Sequence, residues 1–170
     1  LPKILKEIKD NISNKVKPEG KTISFSQIQM YNECPKKWEL QYKLGYYESA
    51  PSINMTFGTA IHETIQHYID VMYSTSGVEA DKINLEEYFQ ERFVEVYQKD
   101  CKSNGGKHFS NSDEMHEFIG DGIQILEFFK KKRSEYFSKR DWHLVGCEVP
   151  IVIQSNSAYT NVLYKGFLDI

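Results

Sequence analysis

The sequence predicts an α+β fold, a helical N-terminal block followed by the first strands of a mixed sheet. Three observations carry this. Apolar residues recur at helical spacing from Ile4 to Phe129. Only after residue 142 does the pattern turn rich in Val and Ile. The turn residues Ser155-Asn156-Ser157 then separate two such runs, Leu144–Ile153 and Asn161–Ile170, which read as a hairpin.

Each element has its own signal. Ile4, Leu5, Ile8, Ile12 and Val16 mark an amphipathic helix within residues 1–22, ended by Lys17-Pro18-Glu19-Gly20. We treat 1–22 as an N-terminal arm and 23–170 as the domain proper. Ser26 with Gln29 fits a capping box opening a helix to about Glu33. Pro35 suits the first turn of the next helix, where its missing N–H costs nothing. That helix carries Trp38, Leu40, Tyr42 and Leu44 and stops near Gly45. Residues 46–56 read as a loop. Phe57 to Ser74 is a helix with Ile61, Ile65, Tyr68, Ile69 and Met72 on its apolar face. Asn84 with Glu87 opens another, carrying Leu85, Phe89, Phe93 and Val96. After a polar loop over 103–111, Ser112 caps a long helix whose core face is Met115, Phe118, Ile119, Gly122, Ile123, Leu126 and Phe129. It closes on the basic run Lys130-Lys131-Lys132-Arg133.

Composition excludes several classes. The 170 residues are 14% aromatic, with 11 Tyr and 10 Phe, too many for a disordered chain. No apolar run is long enough to span a bilayer, so no membrane is expected. The net charge of -3 excludes a binder that holds nucleic acid by charge alone. It leaves room for an enzyme that uses a metal and a local basic strip. Cys34, Cys101 and Cys147 are odd in number and scattered, which points to a reducing cytoplasm rather than a disulfide framework. The excess of Lys over Arg fits an AT-rich source genome, such as a phage's.

Two apparent motifs fail on geometry. His62 and His67 stand five apart, about 140° around a helix, and cannot share a metal as in a zincin. Gly105-Gly106-Lys107 lacks the first Gly and the Ser/Thr of a phosphate loop, Cys101 and His108 standing there instead.

Four features remain: Ser24-Phe25-Ser26-Gln27-Ile28 with Tyr31, Cys34-Pro35 and Tyr42; Gly58-Thr59-Ala60-Ile61-His62; Glu148 inside the first strand; and Gly166-Phe167-Leu168-Asp169 in the second. In this order they resemble the RecB-like, AddB-like exonuclease branch of the PD-(D/E)XK nuclease superfamily, over about residues 22–170. Each piece alone is common; the ordered set is far more specific. The resemblance implies a restriction-endonuclease-like fold and a metal-dependent DNA nuclease, acting as an exonuclease on DNA ends. It implies that His62 and Asp169 ligate a divalent ion, Mg²⁺ or Mn²⁺, with Glu148 as the strand carboxylate beside it. Ser24, Ser26, Tyr42 and Gly58 would frame the site. These residue types suit the chemistry: a hard ion held by carboxylates stabilises the phosphoryl charge and activates water. Blander readings exist for each. His62 borders Ile61, Ile65 and Ile69 and could be a core histidine, and Glu148 could face solvent.

In the family a (D/E)-x-K strand follows, with a second metal carboxylate and a lysine. Residues 1–170 do not reach it, so the chain is expected to be cut inside a domain. Its second strand should then offer an open edge, favouring dimers, strand swapping or aggregation. Lys165 shares a strand face with Asp169 and is a conceivable replacement lysine; a solvated one is the plainer reading. In some relatives a cysteine like Cys34 helps hold a [4Fe–4S] cluster, but Cys101 and Cys147 do not match the other positions, so a buried free thiol is expected. Lys36, Lys37, Lys130, Lys131 and Arg133 are candidate DNA-backbone contacts. Partners are DNA and, beyond it, a homo-oligomer or a larger nuclease/helicase complex. The alternative to an enzyme is a catalytically incomplete nucleic-acid-binding or adaptor fragment.

Overall fold

The computed structural model describes residues 21–46, 50–137, 142–154 and 162–168. The chain divides into two compact units, one from its two ends (1–48 and 145–170) and one from residues 49–144. The expected arm helix and the Ser155-Asn156-Ser157 turn lie outside the described residues.

The end-built unit holds a three-stranded mixed sheet. Strand β1 (Lys21–Ser24) runs straight into helix α1 (Phe25–Glu33), followed by the short α2 (Pro35–Trp38) and a π-helical turn, Glu39–Lys43. The other strands are β2 (Val149–Gln154) and β3 (Val162–Leu168). The order is β1-β3-β2. β2 and β3 pair antiparallel, as the hairpin reading requires. β1 pairs parallel with β3, from Lys21 opposite Val162 to Ser24 opposite Lys165. The expectation of an open edge on the second strand is therefore corrected: β3 is central, and β1 satisfies its other side over Val162–Lys165. Strand β1 escaped sequence reading because four residues are too few to show a period.

β2 also starts later than expected, at Val149 rather than Leu144. Glu148 has φ 53°, a left-handed value that cannot continue an extended ladder. Pairing places Ile23, Ile151, Ile153, Tyr164 and Leu168 on one face, and Ser24, Val152 and Lys165 on the other.

The middle unit is helical: α3 (Ile53–Ser74), α4 (Gly77–Asp81), α5 (Leu85–Ser103) and α6 (Ser112–Tyr136). α3 begins four residues before the expected Phe57 because Ser52 caps it, accepting the Met55 N–H at 3.3 Å. Asn84 caps α5 as expected, accepting the Glu87 N–H at 3.4 Å. Asn111, not Ser112, caps α6, accepting the Glu114 N–H at 2.9 Å. The core joins Tyr68 and Ile69 of α3 to Phe89 and Phe93 of α5 and Leu126 of α6. Phe57 meets Phe89 and Phe93 edge-on at 6.0 and 6.4 Å, and Phe118 at 5.1 Å. The most buried stripe of α3 passes through Thr56, Ala60, Thr64 and Tyr68, with Ile61 and Ile65 only half-buried at its margin. Both threonines are satisfied there: Thr56 donates to Asp100 at 2.8 Å and Thr64 to the Ala60 carbonyl at 2.7 Å. Gly105 and Gly106 take positive φ and close the end of α5, the Gly106 N–H reaching the Cys101 carbonyl at 2.8 Å. No helix among the described residues is long and apolar enough to cross a membrane.

Candidate active site

In the end-built unit the framing residues have local structural roles. Ser24 ends β1 and caps α1, its hydroxyl accepting the Gln27 N–H at 3.3 Å. The Ser26 hydroxyl lies 2.8 Å from it. The N-cap is thus Ser24, not Ser26; Gln29 instead donates to Glu33 at 3.1 Å. Cys34 is exposed, which corrects the buried thiol expected from sequence. Its sulfur caps α2, receiving the Lys37 N–H at 3.4 Å. Tyr42 stands in the π-helical turn, tilted against Trp38 with ring centres 6.5 Å apart. Lys36 and Lys43 converge on Glu39, at 2.8 and 3.6 Å. Hydrogen bonding from Lys36, then the charges of both lysines, holds the Glu39 carboxyl below its usual range.

Glu148 is not inside the first strand but immediately before it, exposed, at the strained φ of 53°. Val149 pairs with Leu168, so the residues adjoining Glu148 and Asp169 in sequence are direct neighbours across the ladder. Asp169 itself lies outside the described residues. Lys165 is exposed on the central strand, in register with Ser24 on one side and Val152 on the other. A Cβ added at Gly166 meets nothing within 4 Å.

In the middle unit Gly58 and His62 lie one turn apart on α3. A Cβ at Gly58 would meet nothing within 4 Å, so packing does not demand glycine there. His62 is half-buried, and its Nε2 lies 2.5 Å from the Gln66 side-chain amide. An amide N–H donated to Nε2 would occupy that lone pair, whereas an amide oxygen would accept the Nε2–H. Gln66 was legible in principle, being four residues from His62 on one helix. The next residue, Glu63, is held by Arg92, whose Nε and Nη2 donate at 2.9 and 2.5 Å. Arg92 also pairs with Glu95, and its hydrogen bonding to Glu63 is the main cause raising its pKa. His67 stacks on Tyr88 at 4.5 Å and 13°.

The basic run is not uniform. Arg133 turns to Asp81 with a double hydrogen bond of 2.5 and 2.6 Å, and also donates to the Tyr68 hydroxyl. This fork ties α6 to α4 and α3 and engages the guanidinium, so Arg133 reads as structural rather than as a DNA contact. Lys130 and Lys131 are exposed. Burial first, then the hydrogen bond to Asp81, pushes the Tyr68 hydroxyl up to about 12.

Among the described residues, no three His, Cys, Asp or Glu side chains gather into a metal-holding group. The expected donors, one imidazole and two carboxylates, chemically suit a hard divalent ion. Cys101 is buried beside His108, with sulfur and Nδ1 3.8 Å apart, as a core thiol would be.

Comparison with curated proteins and with solved structures returns no match. A family model, that of the PD-(D/E)XK nuclease superfamily, matches residues 22–169. That span is most of the chain and includes every residue from Ser24 to Asp169 discussed above. The chain belongs to the PD-(D/E)XK nuclease superfamily.

Proposed function

We propose that the protein is a divalent-metal-dependent deoxyribonuclease of the RecB-like type, trimming DNA from its ends. The family match over residues 22–169 carries this reading, because it takes in both the His62 helix and the strand leading to Asp169. His62, Asp169 and Glu148 would hold Mg²⁺ or Mn²⁺. Such an ion, when bound, neutralises charge on the phosphoryl oxygens and lowers the pKa of an attacking water. The chain's own residues do the rest. Gln66 orients the His62 ring, and the Ser24 cap fixes where α1 leaves the sheet. The exposed Lys36 and Lys37 of the one unit, and Lys130 and Lys131 of the other, would each offer the phosphate backbone positive charge.

The test is cleavage of matched linear and covalently closed circular DNA by the protein as its natural reading frame encodes it. Linear DNA should be degraded only with Mg²⁺ or Mn²⁺, and the circle should survive. Asp169→Ala should abolish cutting, and His62→Ala should lower it at least tenfold, with folding checked by circular dichroism. Cutting of the circle would refute end dependence. Cutting that survives Asp169→Ala would refute the site. DNA binding with no cleavage under any divalent ion would favour the adaptor reading.

A further inference from the structure

The end-built unit carries an aromatic patch that its own core does not use. Tyr31 of α1 meets Trp38 of α2 edge-on, with ring centres 5.5 Å apart and planes at 87°. Tyr42 tilts against Trp38 at 6.5 Å and 33°. Neither contact is a parallel stack. Tyr31 is 52% and Tyr42 40% exposed, and Trp38 is half-buried, so all three rings keep part of their surface open to solvent. Tyr31 and Trp38, though not Tyr42, border a shallow, open pocket of about 410 Å³ whose lining also includes Pro35, Lys36, Glu39 and Lys43.

Charge distinguishes this patch from an ordinary apolar surface. The whole chain is net -3. The stretch from Pro35 to Tyr46 nevertheless carries Lys36, Lys37 and Lys43 against Glu39 alone. Lys36 and Lys43 share that one carboxylate in exposed pairs. Exposed pairs contribute little, so a phosphate can replace the carboxylate at small cost. The π-helical turn through Glu39–Lys43 sets Tyr42 and Lys43 at the edge of this surface; such turns are rare and concentrate at functional sites. Flat rings flanked by mobile cations are what an unpaired nucleotide strand requires, bases on the rings and phosphates on the lysines. A duplex hides its base faces and gains only the lysines.

We infer that Trp38, with Tyr31 and Tyr42, is a stacking platform for unpaired bases, and that Lys36, Lys37 and Lys43 hold the phosphates beside it. The ligand is single-stranded DNA, here separate from the metal chemistry. The inference rests on the nuclease reading only for nucleic acid being the ligand.

The chain has two tryptophans, Trp38 and Trp142, so Trp142→Phe leaves Trp38 as the sole indole reporter. In EDTA, an oligothymidylate about 15 nucleotides long, near the upper site sizes of single-strand binders, should quench that fluorescence. A blunt duplex of equal length should not. In the wild-type background, fluorescence anisotropy of a labelled oligothymidylate should weaken roughly tenfold to a hundredfold with Trp38→Ala, the usual effect of losing one stacked base. Trp38→Phe, which keeps a ring, should restore most of it and guards against misfolding. Lys37→Gln should lower the salt slope by about 0.7. Because metal is absent, the result is independent of whether His62 and Asp169 support cleavage. Equal quenching by duplex, or unchanged affinity in a folded Trp38→Ala protein, would overturn the inference. So would self-association that Trp38→Ala abolishes while the oligonucleotide has no effect, since the patch would then belong to a second copy of the chain.

Discussion

Glu148 holds a backbone angle that its β-carbon resists. Its φ of 53° lies in the left-handed region, which costs a non-glycine residue about 1–2 kcal/mol. A glycine there would relieve the strain, less the roughly 0.5–1 kcal/mol of added unfolded-chain freedom. Glu148→Gly should therefore melt at or slightly above Glu148→Ala, which also lacks the carboxylate, in a thermal scan. If the carboxylate serves the metal as proposed, the same variant should cut DNA at least tenfold more slowly. A glycine variant less stable than Glu148→Ala and as active as wild type would contradict both halves. At this scale the placement of Gly58 and His62 one helical turn apart was legible from spacing. The strain at Glu148 was not, because nothing in a Val- and Ile-rich run announces a left-handed residue. The Asp100 partner of Thr56 was equally hidden, since 44 positions separate the two.

The helices pack through contacts that can be tested singly. A Cβ built on Gly122 of α6 would fall 2.3 Å from the ring of Phe89, which is fully buried on α5. Gly122→Ala gains up to about 1 kcal/mol of helix propensity. It should still destabilise the protein by roughly 1–3 kcal/mol, the usual result of overpacking a core. Urea denaturation showing a more stable variant would mean the two helices can part freely. The Asp81–Arg133–Tyr68 fork gives a pH signature. The Tyr68 hydrogen bond first, then Arg133, holds the Asp81 carboxyl below its ordinary value against the opposing effect of desolvation. A carboxyl with a lowered folded pKa contributes stability that is complete above its unfolded value, near 3.9, and lost as pH falls through the folded one. Asp81→Asn should thus lower stability at neutral pH and flatten the dependence below about pH 4. An unchanged acid limb would show that the fork contributes nothing. The start of helix α5 was legible to the residue because Asn84 and Glu87 form a cap ahead of four apolar positions at helical spacing. The start of α3 was not, because Ser52 has no Glu or Gln three residues on. Its buried stripe was displaced because Thr56, Ala60 and Thr64 carry little apolar signal beside Ile61 and Ile65.

At the scale of the molecule, the two ends of the chain build one unit and its middle builds the other. Local signals reveal hairpins, so β2 and β3 could be read from sequence. The parallel pairing of β1 with β3 joins residues about 140 positions apart, a non-local contact with no local signature. That pairing makes β3 a central strand, and it removes much of the open edge from which aggregation was expected. The central claim, proposed above, is that His62 and Asp169 serve one divalent ion. Its most direct test is Mn²⁺ binding by the 170-residue chain, followed by electron paramagnetic resonance, for wild type, His62→Ala, Asp169→Asn and the double variant. The account predicts weak wild-type binding that falls at least tenfold in each single variant, and a double variant little worse than either, because both remove the same ion. Mn²⁺ binding undiminished in a folded Asp169→Asn protein, or losses from the two variants that simply multiply, would contradict it.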